Sequence, residues 1–288
     1  MDIYFLADLF TDYGVFLVMA LGGYVTLMAH QISIGHGAIA GIGAYTTAIL
    51  TVKLGLPVVL SVPLAAVTGM LTGLLIALVM ALRLKRLYLG IGTFAFGEAM
   101  VVVWLNFDYV GGALGFIRIP VITDLTLVYS IVAVLTFLLW RFEKSHRGLA
   151  FRAVFDDEVT AAAMGVNVSL VKVMAWAIGG SITAVGGALY AHSLSVIRPD
   201  NFGFSMSVLI LLAPTIGGYR TFWGTFIGAA VIVFAPWVLN VADPLDKRIF
   251  YGALYVVMMV WRPEGLIGRQ GLRWPRAFPT WWPQRRLR

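Results

Sequence analysis

From Arg147 to Lys172 the chain reads RGLAFRAVFDDEVTAAAMGVNVSLVK, the longest polar interruption between two strongly apolar segments. Its middle has the makings of a folded element. Asp156 or Asp157 is placed to N-cap a short helix, accepting orphan backbone N–H bonds at the positive end of the dipole. Glu158 adds negative charge to the first turn. Ala161, Ala162 and Ala163 are strong helix formers, and Gly165 can take the left-handed conformation that ends a helix. The spacing predicts a capped helix of about two turns, within a surface segment of about residues 150–166. A bilayer needs ~20 apolar residues, so this element is expected to lie at a membrane surface between two spans. It is either an ordered connector or a rigid surface element that receives a push from a partner.

The membrane reading comes from what flanks it. Apolar residues make up 60% of the 288-residue chain and charged residues only 12%, against about 25% charged in soluble domains. The charges cluster in short loops between long apolar runs, which reads as an all-α polytopic membrane protein. The chain has no cysteine, which excludes disulfides and thiolate metal sites. Asp2 and Asp8, without a basic n-region, argue against a cleaved signal peptide. The net charge of +7 reads as basic loops facing the cytoplasm, with no nucleic-acid partner.

In chain order, Met1 to Phe10 is mildly amphipathic and the first span is Tyr13 to Ala29. The segment Gly37 to Val52 covers ~24 Å at 1.5 Å per residue, short of a ~30 Å hydrocarbon core. With Gly35, Gly37, Gly41 and Gly43 it reads as a short or broken helix buried in the bundle. Further spans are expected at Leu56 to Leu82, Leu87 to Asn106, Leu125 to Trp140 and Val168 to Ala191. Next come Phe204 to Gly217, again short, then Gly224 to Asn240 and Ile249 to Trp261. Gly69 and Gly73 form a small-xxx-small face. Gly179, Gly180, Gly186 and Gly187 leave one face of their helix nearly bare. Asp243 to Arg248 reads as a charged loop. The tail 269–288 is basic, with Trp274, Trp281 and Trp282 as headgroup anchors.

About nine crossings result. With the Arg83 loop inside, 16 of the 21 basic residues fall inside and five outside (Lys53, Arg118, Arg198, Lys247 and Arg248). The positive-inside rule then places the N-terminus outside, the C-terminus in the cytoplasm and the Arg147 stretch on the cytoplasmic face. The two short segments lie in different halves of the chain, and HGAIAGIGA faintly echoes WGTFIGA. Paired interrupted segments point to a translocation site between two structural repeats.

Several chemistries are missing. There is no GxxxxGK[ST], HExxH or GxSxG, and the four histidines (His30, His36, His146 and His192) are scattered. Glu98 is nearly alone as an intramembrane acid, whereas ion-driven carriers use more ionisable residues in their spans. The chain reads as a conduit energised from elsewhere, binding no cofactor itself.

Five blocks, in order, carry a resemblance: HQISIGHGAIAGIGAYTTAIL, LRLKRLYLGIGTFAFGEAM, RGLAFRAVFDDEVTAAAMGVNVSLVKVMAWAIGG, ALYAHSLSVIRPDNFGF and WRPEGLIG. Over residues 13–268 the chain resembles the permease subunit of branched-chain amino acid ABC importers, with the closer match to the LivM-like branch. The resemblance implies a single transmembrane domain over 1–268 of type II-like architecture in a bacterial inner membrane. It implies a second related permease, two cytoplasmic ATPase subunits that hold ATP and Mg, and an extracytoplasmic binding protein. It also implies that an EAA-like pattern on Glu158, Ala161, Ala162 and Gly165 docks in the ATPase. Related permeases carry urea, short amides or aromatic acids. An ion-coupled secondary carrier and a membrane enzyme are the other classes. The chain departs from the family's run of small residues at GGYRTFWGT, where Tyr219, Arg220 and Phe222 are bulkier and Thr225 replaces a common proline.

Glu98 faces the pathway or hydrogen-bonds a neighbouring helix. His36 faces the pathway or packs between helices. Gln31 and Ser33 are expected to satisfy backbone groups freed by a helix break, and Gly41 to permit close packing. Arg152 is expected to pair with an ATPase acid or with Asp156 one turn on.

Overall fold

The computed structural model describes residues 3–239, 243–261 and 265–267. Among them are eleven α-helices: α1 (Ile3–Met28), α2 (His36–Ala48), α3 (Val58–Ile76), α4 (Arg86–Leu105), α5 (Leu125–Glu143), α6 (His146–Asp156), α7 (Glu158–Ala163), α8 (Val168–Ser193), α9 (Phe204–Gly217), α10 (Phe222–Val238) and α11 (Pro244–Trp261). Six segments are long and apolar enough to cross a membrane: Phe5–Met28, Val58–Ala81, Arg86–Leu105, Leu125–Glu143, Val168–Ser193 and Pro199–Gly217. The all-helical expectation has one departure among the described residues. Phe116↔Ile197 and Ile117↔Val196 pair as a two-stranded antiparallel ribbon, β1 (Phe116–Ile117) with β2 (Val196–Ile197).

α1 and α8 form the spine. Each has 26 residues, and they pack against each other. α8 also packs on α2 and α3, while α1 packs on α9 and α10. α2 pairs with α3 as α9 pairs with α10. Exchanging the two halves therefore preserves the neighbours. The spine carries a matching sequence echo, ALGGYVT at 20–26 and AIGGSIT at 177–183. The two copies meet reciprocally: a Cβ on Gly22 would strike the Thr183 side chain, and one on Gly179 would strike Thr26. The HGAIAGIGA–WGTFIGA echo, by contrast, matches α2 to α10, which are not exchange partners.

The α8 glycines form two seams rather than one bare face. Gly179 and Gly186 admit the backbone of α1, at Gly22 and Met19. Gly180 admits Gly69 of α3, and Gly187 admits Ala40 of α2. Each seam repeats every seven residues, two helical turns, so the backbones stay close over the whole contact.

α2 is short and almost entirely buried, and it is not broken internally; a π-helical turn, Ile49–Lys53, prolongs it. The break lies before it, between Met28 and His36. A π-helical turn, Ala77–Ala81, likewise prolongs α3. Residues Pro244 to Arg248, expected as a charged loop, form the first turns of α11. The tail 269–288, with its tryptophans, lies outside the described residues.

Candidate functional site

The Arg147–Lys172 stretch folds as two helices rather than one. Ser145 caps α6, its Oγ accepting from Gly148 N at 3.2 Å. α6 stops at Asp156 because Asp157 turns extended (φ −159°) and starts α7. Asp157, not Asp156, is the cap. Its carboxylate accepts from Val159 N at 2.8 Å and Thr160 N at 2.9 Å, and these bonds hold its pKa below the ordinary aspartate value. Gly165, at φ +87°, closes the helix. Val166 N bonds Ala161 O and Gly165 N bonds Ala162 O, each at 3.0 Å, which is a Schellman motif.

Fixed at both ends, α7 divides its residues by face. Ala161 is buried and Glu158 is half-buried, in an ion pair with Lys172 of α8 at 2.7 Å. Thr160, Ala162, Ala163 and Gly165 are exposed, and so are Val159 (80%) and Met164 (81%). The element thus presents a small apolar knob to its surroundings.

α6 ties this knob to the bundle. Arg152 does not pair with Asp156; it reaches Glu143 at the end of α5 at 3.1 Å. Asp156 lies 3.8 Å from Arg220 in the α9–α10 turn. Glu143 is buried and is the convergence point. Its Oε1 accepts from the Tyr24 hydroxyl of α1 and from Phe222 N, the first amide of α10, at 3.1 Å, while Oε2 takes Arg152. One carboxylate therefore joins α1, α5, α6 and α10. Nothing in RFEKSHRG separates Glu143 from an ordinary solvated helix-end charge, so sequence reading passes over it.

Phe155, one turn beyond Arg152, makes the second connection. Its ring stacks on His30 at 4.5 Å and packs on Tyr219 at 5.3 Å, with the Arg220 guanidinium 5.9 Å from its centre. Arg86, at the start of α4, donates to His30 Nδ1 at 2.8 Å. A guanidinium only donates, so this imidazole nitrogen carries no proton. Desolvation first, and the Arg86 charge second, lower the His30 pKa. His30 is also a left-handed residue (φ +59°) closing α1 with the same motif that closes α7. The α1–α2, α3–α4 and α9–α10 connections thus meet beneath α6. At the opposite end, Lys53 after α2 bonds the Tyr109 carbonyl, and the β1–β2 ribbon joins the α4–α5 and α8–α9 connections.

The remaining candidates sit where α2, α4 and α9 meet. The break before α2 is satisfied from several sides. Ile34 N donates to Thr93 Oγ1 (3.1 Å), Gly35 N to Ser33 Oγ (3.2 Å) and Gly37 N to Ser207 Oγ (2.9 Å). Ser33 takes the expected role and Gln31 does not; Gln31 is buried and its side-chain oxygen meets no hydrogen-bond partner. His36 is buried, stacked on Trp176 and 3.3 Å from Thr26 Oγ1. A Cβ on Gly41 would strike Trp104. Glu98 Oε1 accepts from Phe204 N at 3.0 Å and so caps α9 from α4. His36 and Gly41 are thus enclosed by packing, whereas Glu98 is half-buried. Among the described residues no group of three or more His, Asp or Glu is placed to hold a metal.

A family profile described as "Branched-chain amino acid transport system / permease component" matches residues 5–260. The high-affinity branched-chain amino acid permease LivM of Salmonella typhimurium is 25% identical over 90% of this chain and 69% of its own length. LivM of Escherichia coli gives the same figures. The autoinducer 2 import permease LsrC of E. coli is 22% identical over 80% of this chain and 68% of its own. Among solved structures, a chain of PsaBC from Streptococcus pneumoniae, in complex with Fab, superposes with a TM-score of 0.51. It is 17% identical, covering 92% of this chain and 94% of the other, and shares the fold.

Proposed function

The chain belongs to the branched-chain amino acid ABC transporter permease family, and from that premise we propose that it forms half of an import pathway for branched-chain amino acids, driven by a cytoplasmic ATPase that docks on α7. It is a multi-pass membrane protein. In this reading it crosses a bacterial inner membrane about nine times, N-terminus outside and C-terminus inside. It pairs with a second, related permease and receives substrate from an extracytoplasmic binding protein. ATP and Mg reside on two ATPase subunits, and the route runs past the α2, α4 and α9 junction.

One observation carries the coupling part: a helix capped at both ends exposes Val159 and Met164, while its base is tied through Arg152–Glu143 to Tyr24 on α1 and the first amide of α10. Charge-assisted bonds are stronger than neutral ones, so displacement of α6–α7 is passed to α1 and α10 rather than absorbed. The apolar knob suits a cleft on another protein, because Val159 and Met164 gain only when removed from water.

The test is Val159→Asp in the assembled complex. The expected outcome is loss of ATP-driven uptake of leucine and of substrate-stimulated ATP hydrolysis, with the permease still folded. Unchanged uptake and unchanged coupling would overturn the docking assignment.

A further inference from the structure

Glu98 holds the first amide of α9 with one oxygen, and its second oxygen, Oε2, takes no hydrogen bond or ion pair among the described residues. Its position makes that notable. It lies twelve residues along α4 from Arg86, ~18 Å at 1.5 Å per residue, and so well inside a span of about 30 Å. It is half-buried, on the side of α4 that also exposes Ile91 (58%), Phe94 (38%) and Val102 (56%). Thr93, Gly97 and Val101, on the adjoining face, are buried in the bundle. Beside it, Pro199 to Gly203 is 3-10 and extended backbone, and Phe204 is 51% exposed.

Neither feature is compatible with hydrocarbon. An intramembrane carboxylate faces a bundle interior or a water-filled cavity. Non-helical backbone at membrane depth is tolerated only where protein buries it or where it lines water. Pro199 and Phe202 are buried, so it is the half-buried carboxylate that calls for water, and the edge formed by α4 and the start of α9 borders an aqueous route. The surroundings of the carboxylate indicate what the route carries. Phe94 is four residues from Glu98, on the same helix face, and its ring meets that of Phe204 edge-on at 5.4 Å, 79° between planes. A carboxylate oxygen beside two partly exposed aromatic rings suits a cation on an apolar body, since the charge meets the acid and the rings accept both cation and alkyl group.

We propose that Glu98, flanked by Phe94 and Phe204, holds the ammonium group of the transported amino acid on its way through. This deepens, and rests on, the importer reading.

Glu98→Gln tests the charge separately from the cap, because the amide oxygen still accepts from Phe204 N. The experiment is leucine uptake by the full complex, with its binding protein and ATPase, in proteoliposomes. Alongside uptake, the thermal midpoint is measured. Glu98→Gln is expected to raise the apparent KM for leucine about tenfold at an unchanged midpoint, and Glu98→Asp to recover part of the loss. Glu98→Ala removes the cap as well and is expected to lower the midpoint. If Glu98→Gln transports like wild type while Glu98→Ala unfolds early, Glu98 is a cap alone and the proposal is overturned. If the wild-type complex itself takes up no leucine, the substrate reading fails, and this proposal with it.

Discussion

Glu143 organises the α6 end of the molecule because a buried carboxylate must have its lone pairs met, and three other helices supply the donors. Glu143→Gln keeps an oxygen for Tyr24 and Phe222 N but loses the charge that holds Arg152. It is expected to fold and to hydrolyse ATP in the complex while importing less leucine per ATP. Glu143→Ala leaves the Phe222 amide and the Tyr24 hydroxyl unmet, at about 1–3 kcal/mol each, and is expected to lower the thermal midpoint clearly. Uptake assays with an ATPase readout, and melting in detergent, check the pair. His30 gives a pH prediction at the same scale. Its folded pKa is lowered, so the folded chain binds fewer protons than the unfolded chain below the ordinary histidine range. The stability it contributes is complete above about pH 6.5 and is lost as pH falls through that range toward the folded value. Protonation would set a second cation against Arg86. A melting series across pH 5–8 should show a fall on the acid side that His30→Gln abolishes.

At the scale of elements, what could be read depended on whether the information was local. α7 was legible because an Asp at one end, three alanines and a Gly at the other act within the helix itself. α6 was not, because HRGLAFRAVFD mixes charged and apolar residues without a clean apolar period; Phe151 and Val154 are buried only because α6 folds back on the bundle. The same holds for Glu143, whose burial is made by tertiary contacts, and for Arg152, which prefers that carboxylate to the exposed Asp156. The bulky turn residues that depart from the family pattern find their reason here as well: Tyr219 and Arg220 are the side chains that reach Phe155 and Asp156. Helix seams give a paired prediction. A methyl on Gly187 would run into the Ala40 carbonyl, which belongs to backbone and cannot step aside. On Gly252 of α11 it meets nothing within 4 Å. Gly187→Ala should destabilise by about 1–3 kcal/mol, and Gly252→Ala should stabilise by up to about 1 kcal/mol through helix propensity. Equal shifts in thermal midpoint would contradict the seam.

For the whole molecule, the short helices of the two halves, α2 and α9, occupy exchange-related places. The sequence echo that follows the architecture, ALGGYVT with AIGGSIT, lies instead in the spine, where glycine and threonine are demanded twice by one reciprocal contact. The connections of α1–α2, α3–α4 and α9–α10 gather at the α6 end, and those of α2–α3, α4–α5 and α8–α9 at the other. In the proposed orientation the first set faces the cytoplasm. The chain contains no cysteine, so a single introduced thiol reports its own side. Entry of force from an ATPase at α7 is tested by a photo-reactive residue at Val159 in the purified complex. A cross-link from Val159 to the ATPase subunit is expected, and none from Leu114 at the opposite end. A cross-link to the ATPase from Leu114 with none from Val159 would contradict it.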